Sequence, residues 1–167
     1  SERHIMRSSK EYMMAWFYLV IALTAGAGLS VQAAVNSRLA AGVGGQPLIA
    51  AMISFAVGTV CLLVLALLQS NWQTVGAGIG QQPWWRWVGG VIGAGFVFTS
   101  VFLAPKIGIG NTMFLFILGQ LASSMLIDQY GLIQMPVRPV YWWKLAGMAL
   151  MLCGVALFVF GERWFKA

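Results

Sequence analysis

The sequence predicts an all-α integral membrane protein with five transmembrane helices. Three observations lead to this fold class. The 167 residues are 60% hydrophobic and only 8% charged, their mean hydropathy is +0.82, and the charges separate long uncharged runs. A soluble domain of this length carries about a quarter charged residues. The composition therefore fits lipid as the solvent rather than water.

Five apolar runs are long enough to cross a bilayer, because about 20 residues at 1.5 Å each span the ~30 Å hydrocarbon core. The runs are continuously apolar rather than alternating, which favours helices over a barrel. Aromatic residues cluster near the proposed ends, as expected of side chains that prefer the headgroup level. The predicted spans are residues 14–35, 48–69, 87–105, 107–127 and 141–161.

The start of the chain is interpreted separately. Residues 1–5 include His4, the only histidine, and read as the remainder of an expression tag, with Met6 as the natural start. A cleaved signal peptide is the alternative for the segment that follows. The uncharged run from Tyr12 to Ser37 is too long for one. We therefore expect a retained helix and a single five-helix domain over residues 6–167.

The composition and motifs exclude several classes of function. The net charge of +6 does not indicate a nucleic-acid partner, since the ten Lys and Arg residues are scattered singly between apolar stretches. An enzyme is not expected, because no GxSxG or HExxH motif occurs and no segment carries a pair of carboxylates. No cofactor or metal is expected either. Cys61 and Cys153 lie within apolar runs and read as small buried hydrophobes.

The positive charges that flank the spans are almost balanced between the two sides of the membrane. Five spans place the termini on opposite sides, and the Lys and Arg difference sets the orientation. The N-terminus is then cytoplasmic by a weak bias, or the chain inserts both ways and pairs with an inverted copy into a ten-helix dimer. One side holds Arg7, Lys10, Arg86, Arg138 and Lys144, and the other holds Arg38, Lys106, Arg163 and Lys166.

Polar side chains inside a span are costly and tend to face a bundle interior or a pathway. Gln32 and Asn36 are four residues apart, so they share one face at the end of the first span. The two amides either hold helices together or bind a solute. Because Arg38 follows them directly, the group goes beyond what helix packing alone requires.

The fourth span carries a second polar group. Gln120 lies near its middle, and Asp128 lies eight residues on, about 12 Å along what we take to be the same face. Asp128 is either an interfacial cap and partner of a nearby Arg or Lys, or a carboxylate that couples transport to a proton or a substrate. The sequence leaves both interpretations open.

Small residues indicate where helices approach one another closely. Glycines are spaced by four residues in the third span and by seven in the fifth, and the second spacing forms one groove. These positions fit packing within one chain and a dimer seam equally well. They are Gly89 and Gly93 in the third span, and Gly147, Gly154 and Gly161 in the fifth.

Several short motifs, in order along residues 14–161, are similar to a known family. They resemble a five-helix bacterial branch, long catalogued as a domain of unknown function, of the drug/metabolite transporter (DMT) superfamily. The motifs are Gln32-x-x-x-Asn36-x-x-Leu39, Ser54-Phe55-x-x-Gly58, Pro83-Trp84-Trp85 followed by Gly89-Gly90-x-x-Gly93-Ala94, and Gly119-Gln120-Leu121 with Asp128-x-x-Gly131-Leu132.

The resemblance implies a transporter of small molecules, built as a dimer or as two related halves, often with opposed insertion. Members of the four-helix branch export cationic drugs through a glutamate in the middle of helix one. This chain has no acidic residue in its first span, so it departs from that mechanism. The resemblance makes Gln32, Asn36, Gln120 and Asp128 candidate site residues without assigning their roles.

The leading hypothesis is a dimeric secondary transporter in the bacterial inner membrane. Gln32, Asn36 and Gln120 would hydrogen-bond a small amphipathic or polar solute, while Asp128 and Arg38 would gate or couple. The alternative is a non-transporting membrane subunit or assembly factor, which predicts a co-purifying partner and no polar cavity. A channel would need a continuous polar stripe, and the second and fifth spans offer almost none.

Overall fold

The computed structural model describes the backbone of Glu2–Phe165 and the side chains of residues 12–165. The predicted tag at 1–5, and Arg7, Lys10 and Lys166 of the charge balance, lie outside the described side chains. All regular elements within this part of the chain are helical. The α-helices are α1 (Glu2–Gly42), α2 (Pro47–Gln69), α3 (Trp72–Ile79), α4 (Val88–Ile107), α5 (Ile109–Tyr130) and α6 (Trp142–Phe165).

Five of these helices are long and apolar enough to cross a membrane, which confirms the predicted fold class; the eight-residue α3 is the exception. Four helices continue past the predicted C-terminal end of their span, and α5 and α6 do so to Tyr130 and Phe165. Helix α1 runs past residue 35 to Gly42, and α4 runs through Pro105 and Lys106 to Ile107. Hydropathy marks the lipid-soluble length, whereas a helix continues until its backbone hydrogen bonding is broken. Arg38 therefore lies on α1 rather than after it.

The chain consists of two compact units, Ser1–Phe102 and Leu103–Ala167. In the first unit, α1 and α2 form an antiparallel hairpin. Its turn depends on Gly44 and Gly45, which adopt φ values of +80° and +73° that L side chains rarely adopt. The backbone N–H groups of Gly45 and Gln46 both donate to the Ala40 carbonyl, at 2.8 and 3.2 Å. Pro47 then begins α2, where its missing N–H costs nothing.

Small side chains let the hairpin close. The buried core of this unit joins residues of α1, α2 and α4, and its largest fully buried member is Val101. Ala50 is completely buried. Alanines at a helix–helix contact allow the backbones to approach closely, which is how membrane helices gain packing without a hydrophobic driving force. The cluster consists of Ala40, Ala50, Ala51, Val97 and Val101.

The two helices are in contact over only part of their length. All residues of α1 from Tyr12 to Leu29 are exposed, and α2 is likewise exposed from Thr59 onward except at the half-buried Ala66. The packed part of the hairpin therefore lies next to the turn, and the other ends of α1 and α2 lack neighbours within the unit.

The segment after α2 carries an amphipathic helix. The Asn71 side chain accepts a hydrogen bond from the backbone N–H of Thr74 at 3.2 Å and so caps α3. Trp72, Val75 and Ile79 are exposed large apolar residues at helical spacing. Such a helix suits the membrane surface, which agrees with the loop position of this segment between the second and third spans.

The second unit is built on the antiparallel pair α5 and α6. The rings of Phe114 and Phe158 lie 4.2 Å apart between centroids. A Cβ placed at Gly110 would come within 3.2 Å of the Phe158 ring, so glycine at this position permits the contact. Near the other end of the pair, Met125 of α5 and Met148 of α6 line shared grooves.

The end of α5 is fixed by a glycine and by the loop that follows. Gly131 adopts φ +59° and ψ +36°, and its N–H donates to the Ile127 carbonyl. The loop folds back onto the helix end, where the Arg138 N–H donates to the Asp128 carbonyl at 2.8 Å. The Val140 N–H donates to Oε1 of Gln129 at 2.6 Å. These bonds satisfy backbone groups that the helix itself leaves unpaired.

We expect Gly131→Ala to destabilise the protein by about 1–2 kcal/mol, because a left-handed backbone is strained for any residue with a Cβ. The new Cβ would also lie 2.8 Å from Cγ2 of Val137 and 3.0 Å from the Met135 carbonyl oxygen. Thermal unfolding in mild detergent measures the effect. Gly80→Ala is the matched control, since Gly80 has φ −72° and an added Cβ there would meet no described atom within 4 Å. Equal melting temperatures for the two variants would contradict the prediction.

Candidate functional site

Asn36 connects the first two transmembrane helices. Its side chain is buried, with 4% of its surface exposed, and Nδ2 donates to Oγ of Ser54 on α2 at 3.1 Å. The other buried polar residues of the described chain, Ser100 and Thr112, instead donate to backbone carbonyls three and four residues earlier, those of Val97 and Gly108. Asn36 therefore pairs with a different helix and fixes the register between α1 and α2.

This register places Gln32 opposite Gly58. In an antiparallel pair, the residue one turn before Asn36 in α1 faces the residue one turn after Ser54 in α2. The Gln32 side chain makes no hydrogen bond within the described part of the chain. A Cβ placed at Gly58 would meet nothing there within 4 Å. The Gln32 amide thus borders open space where Gly58 supplies no side chain.

A groove of about 180 Å³ opens at this position. Phe55 forms one wall and packs against α4, since its ring lies 3.7 Å from where a Cβ of Gly93 would be. The groove combines one free amide and two hydroxyls with an aromatic and an aliphatic side chain. Its lining residues are Gln32, Ser54, Phe55, Gly58, Thr59 and Leu62.

Arg38 does not reach this groove. It is exposed and does not line the groove. Two residues along a helix correspond to about 200° of rotation, so Arg38 points away from the face that carries Asn36. The structure brings Gln32 and Asn36 together on one face, as the spacing predicts, and leaves Arg38 on another.

The second unit contains a groove of about 430 Å³ between α5 and α6. Asp128 and Lys144 both line it, together with Ser124, whose Oγ donates to the Leu121 carbonyl at 2.9 Å. Within the described residues, neither Asp128 nor Lys144 has an ion-pair partner. The rest of the lining is apolar or glycine: Leu121, Met125, Gly147, Met148 and Met151.

A neighbouring groove of about 500 Å³ shares Met125 and Met148 with the first, so the two grooves lie on either side of these methionines. This neighbour is mostly apolar, with Gln129 and Tyr130 at one end. The Gln129 side-chain oxygen already accepts the Val140 N–H. Of these two neighbouring grooves, only the one lined by Asp128 and Lys144 contains charged side chains.

Gln120 lies outside both grooves. It is exposed on α5, whereas the charged groove is lined by residues 121, 124, 125 and 128 of this helix. Eight residues advance a helix by about 80° beyond two full turns. The assumption that Gln120 and Asp128 share a face thus overestimated their alignment.

The glycine candidates differ in their surroundings. Gly93 contacts Phe55 of α2, and Gly147 lines the charged groove. A Cβ at Gly89 or Gly154 would meet no described atom within 4 Å, and one at Gly161 would meet only Leu157 of the same helix. Gly93 thus serves packing within the chain, while a dimer seam along α6 stays a prediction.

The sequence reasoning missed several residues of these grooves. Ser54 and Gly58 were noted only as part of a motif, although their four-residue spacing on α2 mirrors that of Gln32 and Asn36 on α1. Lys144 was counted only among the positive charges that flank the spans. Among the described residues, no group of three His, Cys, Asp or Glu side chains could hold a metal ion. The polar side chains that line the grooves can form hydrogen bonds and ion pairs.

Comparison with known proteins gives a family match over most of the chain. A family described as "Putative inner membrane exporter, YdcZ" matches residues 17–157. The inner membrane protein YdcZ of Escherichia coli (strain K12) is 25% identical over 149 residues, which cover 89% of this chain and 93% of that protein. No solved structure gives a significant match. The matched range contains all the lining residues of both grooves.

We expect Asn36→Ala and Ser54→Ala to be coupled, because each removes the partner of the other's side chain. A double-mutant cycle on unfolding in detergent should give a coupling free energy of about 0.5–2 kcal/mol. Ser37→Ala is the matched control, since the Ser37 hydroxyl donates to the Ala33 carbonyl of its own helix at 2.8 Å. It should not couple to Ser54→Ala. Additive effects of the Asn36 and Ser54 substitutions would rule out a stabilising bond between the helices.

Proposed function

Because the chain belongs to the YdcZ family of inner membrane exporters, we propose that it is a secondary transporter that moves a small amphipathic or polar solute as a dimer. Family membership and five spanning helices make it a multi-pass inner membrane protein of a transporter family. The solute class, the dimer and its inverted arrangement are the content of the proposal.

The observation that carries the proposal is the free Gln32 amide in the α1–α2 groove. An unpaired polar side chain within a membrane span is costly, and such residues tend to mark a pathway. An amide both donates and accepts hydrogen bonds, which suits an uncharged polar group on a solute. Phe55 and Leu62 line the same groove and would cover an apolar part. The combination fits an amphipathic solute.

The other predicted residues receive different roles. Asn36 donates to Ser54, so it acts as a positioning residue that holds Gln32 at the groove. Asp128 remains the proposed coupling carboxylate because it lines a groove without an ion-pair partner among the described residues. Arg38 and Gln120 line none of the grooves described above. They therefore make no contact with any of these three grooves.

The exposed part of α1 supports a dimer. The residues from Tyr12 to Leu29 are exposed throughout and include the small-residue run Ala25-Gly26-Ala27-Gly28. No described atom lies within 4 Å of a Cβ placed at Gly26 or Gly28. Small residues in membrane helices typically mark contacts with another helix. A second copy of the chain would supply that contact, and the balanced flanking charges favour an inverted copy.

We expect Gly58→Leu to lower solute flux in proteoliposomes by at least tenfold, because the new side chain would occupy the groove next to Gln32. Gln32→Leu should have a similar effect, since it removes the hydrogen-bonding group. Gly95→Leu is the matched control: Gly95 is exposed on α4 and lines none of these grooves. Flux that survives both groove substitutions would remove the site assignment. A stoichiometric co-purifying protein together with no flux would favour the subunit hypothesis.

We expect a reporter fused after Ala167 to be active on both sides of the inner membrane, because the flanking charges number five against four. Fusions to fluorescent protein and to alkaline phosphatase measure the two orientations. Lys106→Gln leaves five against three, and the Arg7→Gln, Lys10→Gln, Arg138→Gln triple leaves two against four, so each variant is biased by two charges in opposite directions. Each variant alone should then lose transport, and co-expression of both should restore it. A reporter active on one side only would exclude dual insertion.

A further inference from the structure

We propose that the groove between α5 and α6 binds a zwitterion with an attached apolar group, so that Asp128 contacts the ammonium and Lys144 contacts the acidic group. Aromatic and aliphatic α-amino acids and zwitterionic lipid headgroups share this chemistry. The inference deepens the proposed transport function and depends on it for its biological use. Binding itself is measured independently of transport.

The groove contains one acidic and one basic side chain. Asp128 and Lys144 carry opposite charges, line one groove, and lack an ion-pair partner among the described residues. Opposite charges at a membrane protein surface normally pair with one another or with neighbours. Two that share a groove without pairing leave room for a molecule that supplies both counter-charges.

The two opposite charges of the groove disfavour ligands that carry a single charge. A simple cation that contacts Asp128 would also face the ammonium of Lys144, and a simple anion at Lys144 would face the carboxylate of Asp128. Each would gain one attraction and meet one repulsion. A zwitterion oriented along the pair gains both attractions, since charge-assisted hydrogen bonds are the strong ones. The groove therefore discriminates by the number and sign of the ligand's charges.

The rest of the groove lining is mostly apolar. Met125, Met148 and Met151 lie beside the charges in the same groove. Methionine side chains are flexible and polarizable, so they adapt to apolar groups of different shape. Gly147 adds no side chain to the lining. A volume of about 430 Å³ accommodates a small molecule rather than a second transmembrane helix.

Neighbouring groups leave the Asp128 carboxylate available. Arg138 is close in the chain fold, but its recorded bond runs from its backbone N–H to the Asp128 backbone carbonyl. The Arg138 side chain does not line the groove, and the Gln129 side-chain oxygen accepts a hydrogen bond from the Val140 N–H. The loop thus holds the end of α5 in place without using the carboxylate.

The experiment compares three ligands that share one aromatic ring: phenylalanine, phenethylamine and 3-phenylpropanoate. Binding to the full chain is measured by calorimetry in nanodiscs of phosphatidylglycerol, which carries no ammonium. We expect phenylalanine to bind at least tenfold more tightly than the cation and the anion, since each lacks one charge-assisted contact. Equal affinity of the three ligands would overturn the proposal without any variant.

Two substitutions assign the contacts. Asp128→Asn should abolish the preference for phenylalanine over 3-phenylpropanoate, and Lys144→Gln should abolish its preference over phenethylamine. Arg163→Gln is the matched control, because Arg163 is exposed on the same helix as Lys144 and outside the groove. Loss of both preferences in Arg163→Gln, or an identical effect of the two groove substitutions, would contradict the assignment.

Two further measurements distinguish a lipid headgroup from a free amino acid as the ligand, and zwitterion binding from transport. If phosphatidylethanolamine in the nanodisc competes with phenylalanine, the same site takes a lipid headgroup and the zwitterion inference holds. Charge-selective binding without flux would refute the transport proposal alone. Flux of other solutes through a protein with no zwitterion preference would refute this inference alone.

Discussion

The hydrogen bond from Asn36 to Ser54 is the constraint on which the first unit depends. In an apolar solvent, a buried amide without a partner is strongly unfavourable, so α1 and α2 are held where these two side chains meet. On the turn side of this bond, alanines close the seam at Ala50. On the other side, the same register brings Gln32 to Gly58 and leaves a free amide beside an open groove. One satisfied polar pair thus positions one unsatisfied group.

The second unit combines the same elements differently. Its helices are in contact through the rings of Phe114 and Phe158, which need no polar partner. The polar groups, Asp128 and Lys144, are therefore not needed to hold the pair together. Charges are expensive near lipid, and these two form no ion pair within the described residues, so they are available to the proposed ligand. In each unit, packing and recognition are assigned to different side chains.

Much of this architecture can be predicted from the sequence, because hydropathy and the four-residue spacing of a helix are local properties. They predict the five spans and the shared face of Gln32 and Asn36. They fail where the outcome depends on rotation around a helix or on the neighbouring helix. Arg38 lies about 200° around α1 from Asn36, and Gln120 is offset by about 80° from Asp128. The placement of Asp128 and Lys144 in one groove depends on the register of α5 against α6, which no spacing within one helix specifies.

The exposed part of α1 lies next to the Gln32 groove and is the surface on which the proposed dimer depends. A helix that packs over one end only, with its small residues uncovered from Ala25 to Gly28, lacks the contact that such residues provide in membranes. The Gln32 groove begins one turn after that uncovered run ends. A second copy placed against α1 would therefore lie beside the groove and could close it. If the copy is inverted, a two-fold axis in the membrane plane makes the two Gln32 grooves equivalent and opens them toward opposite sides, as in transporters built from inverted repeats.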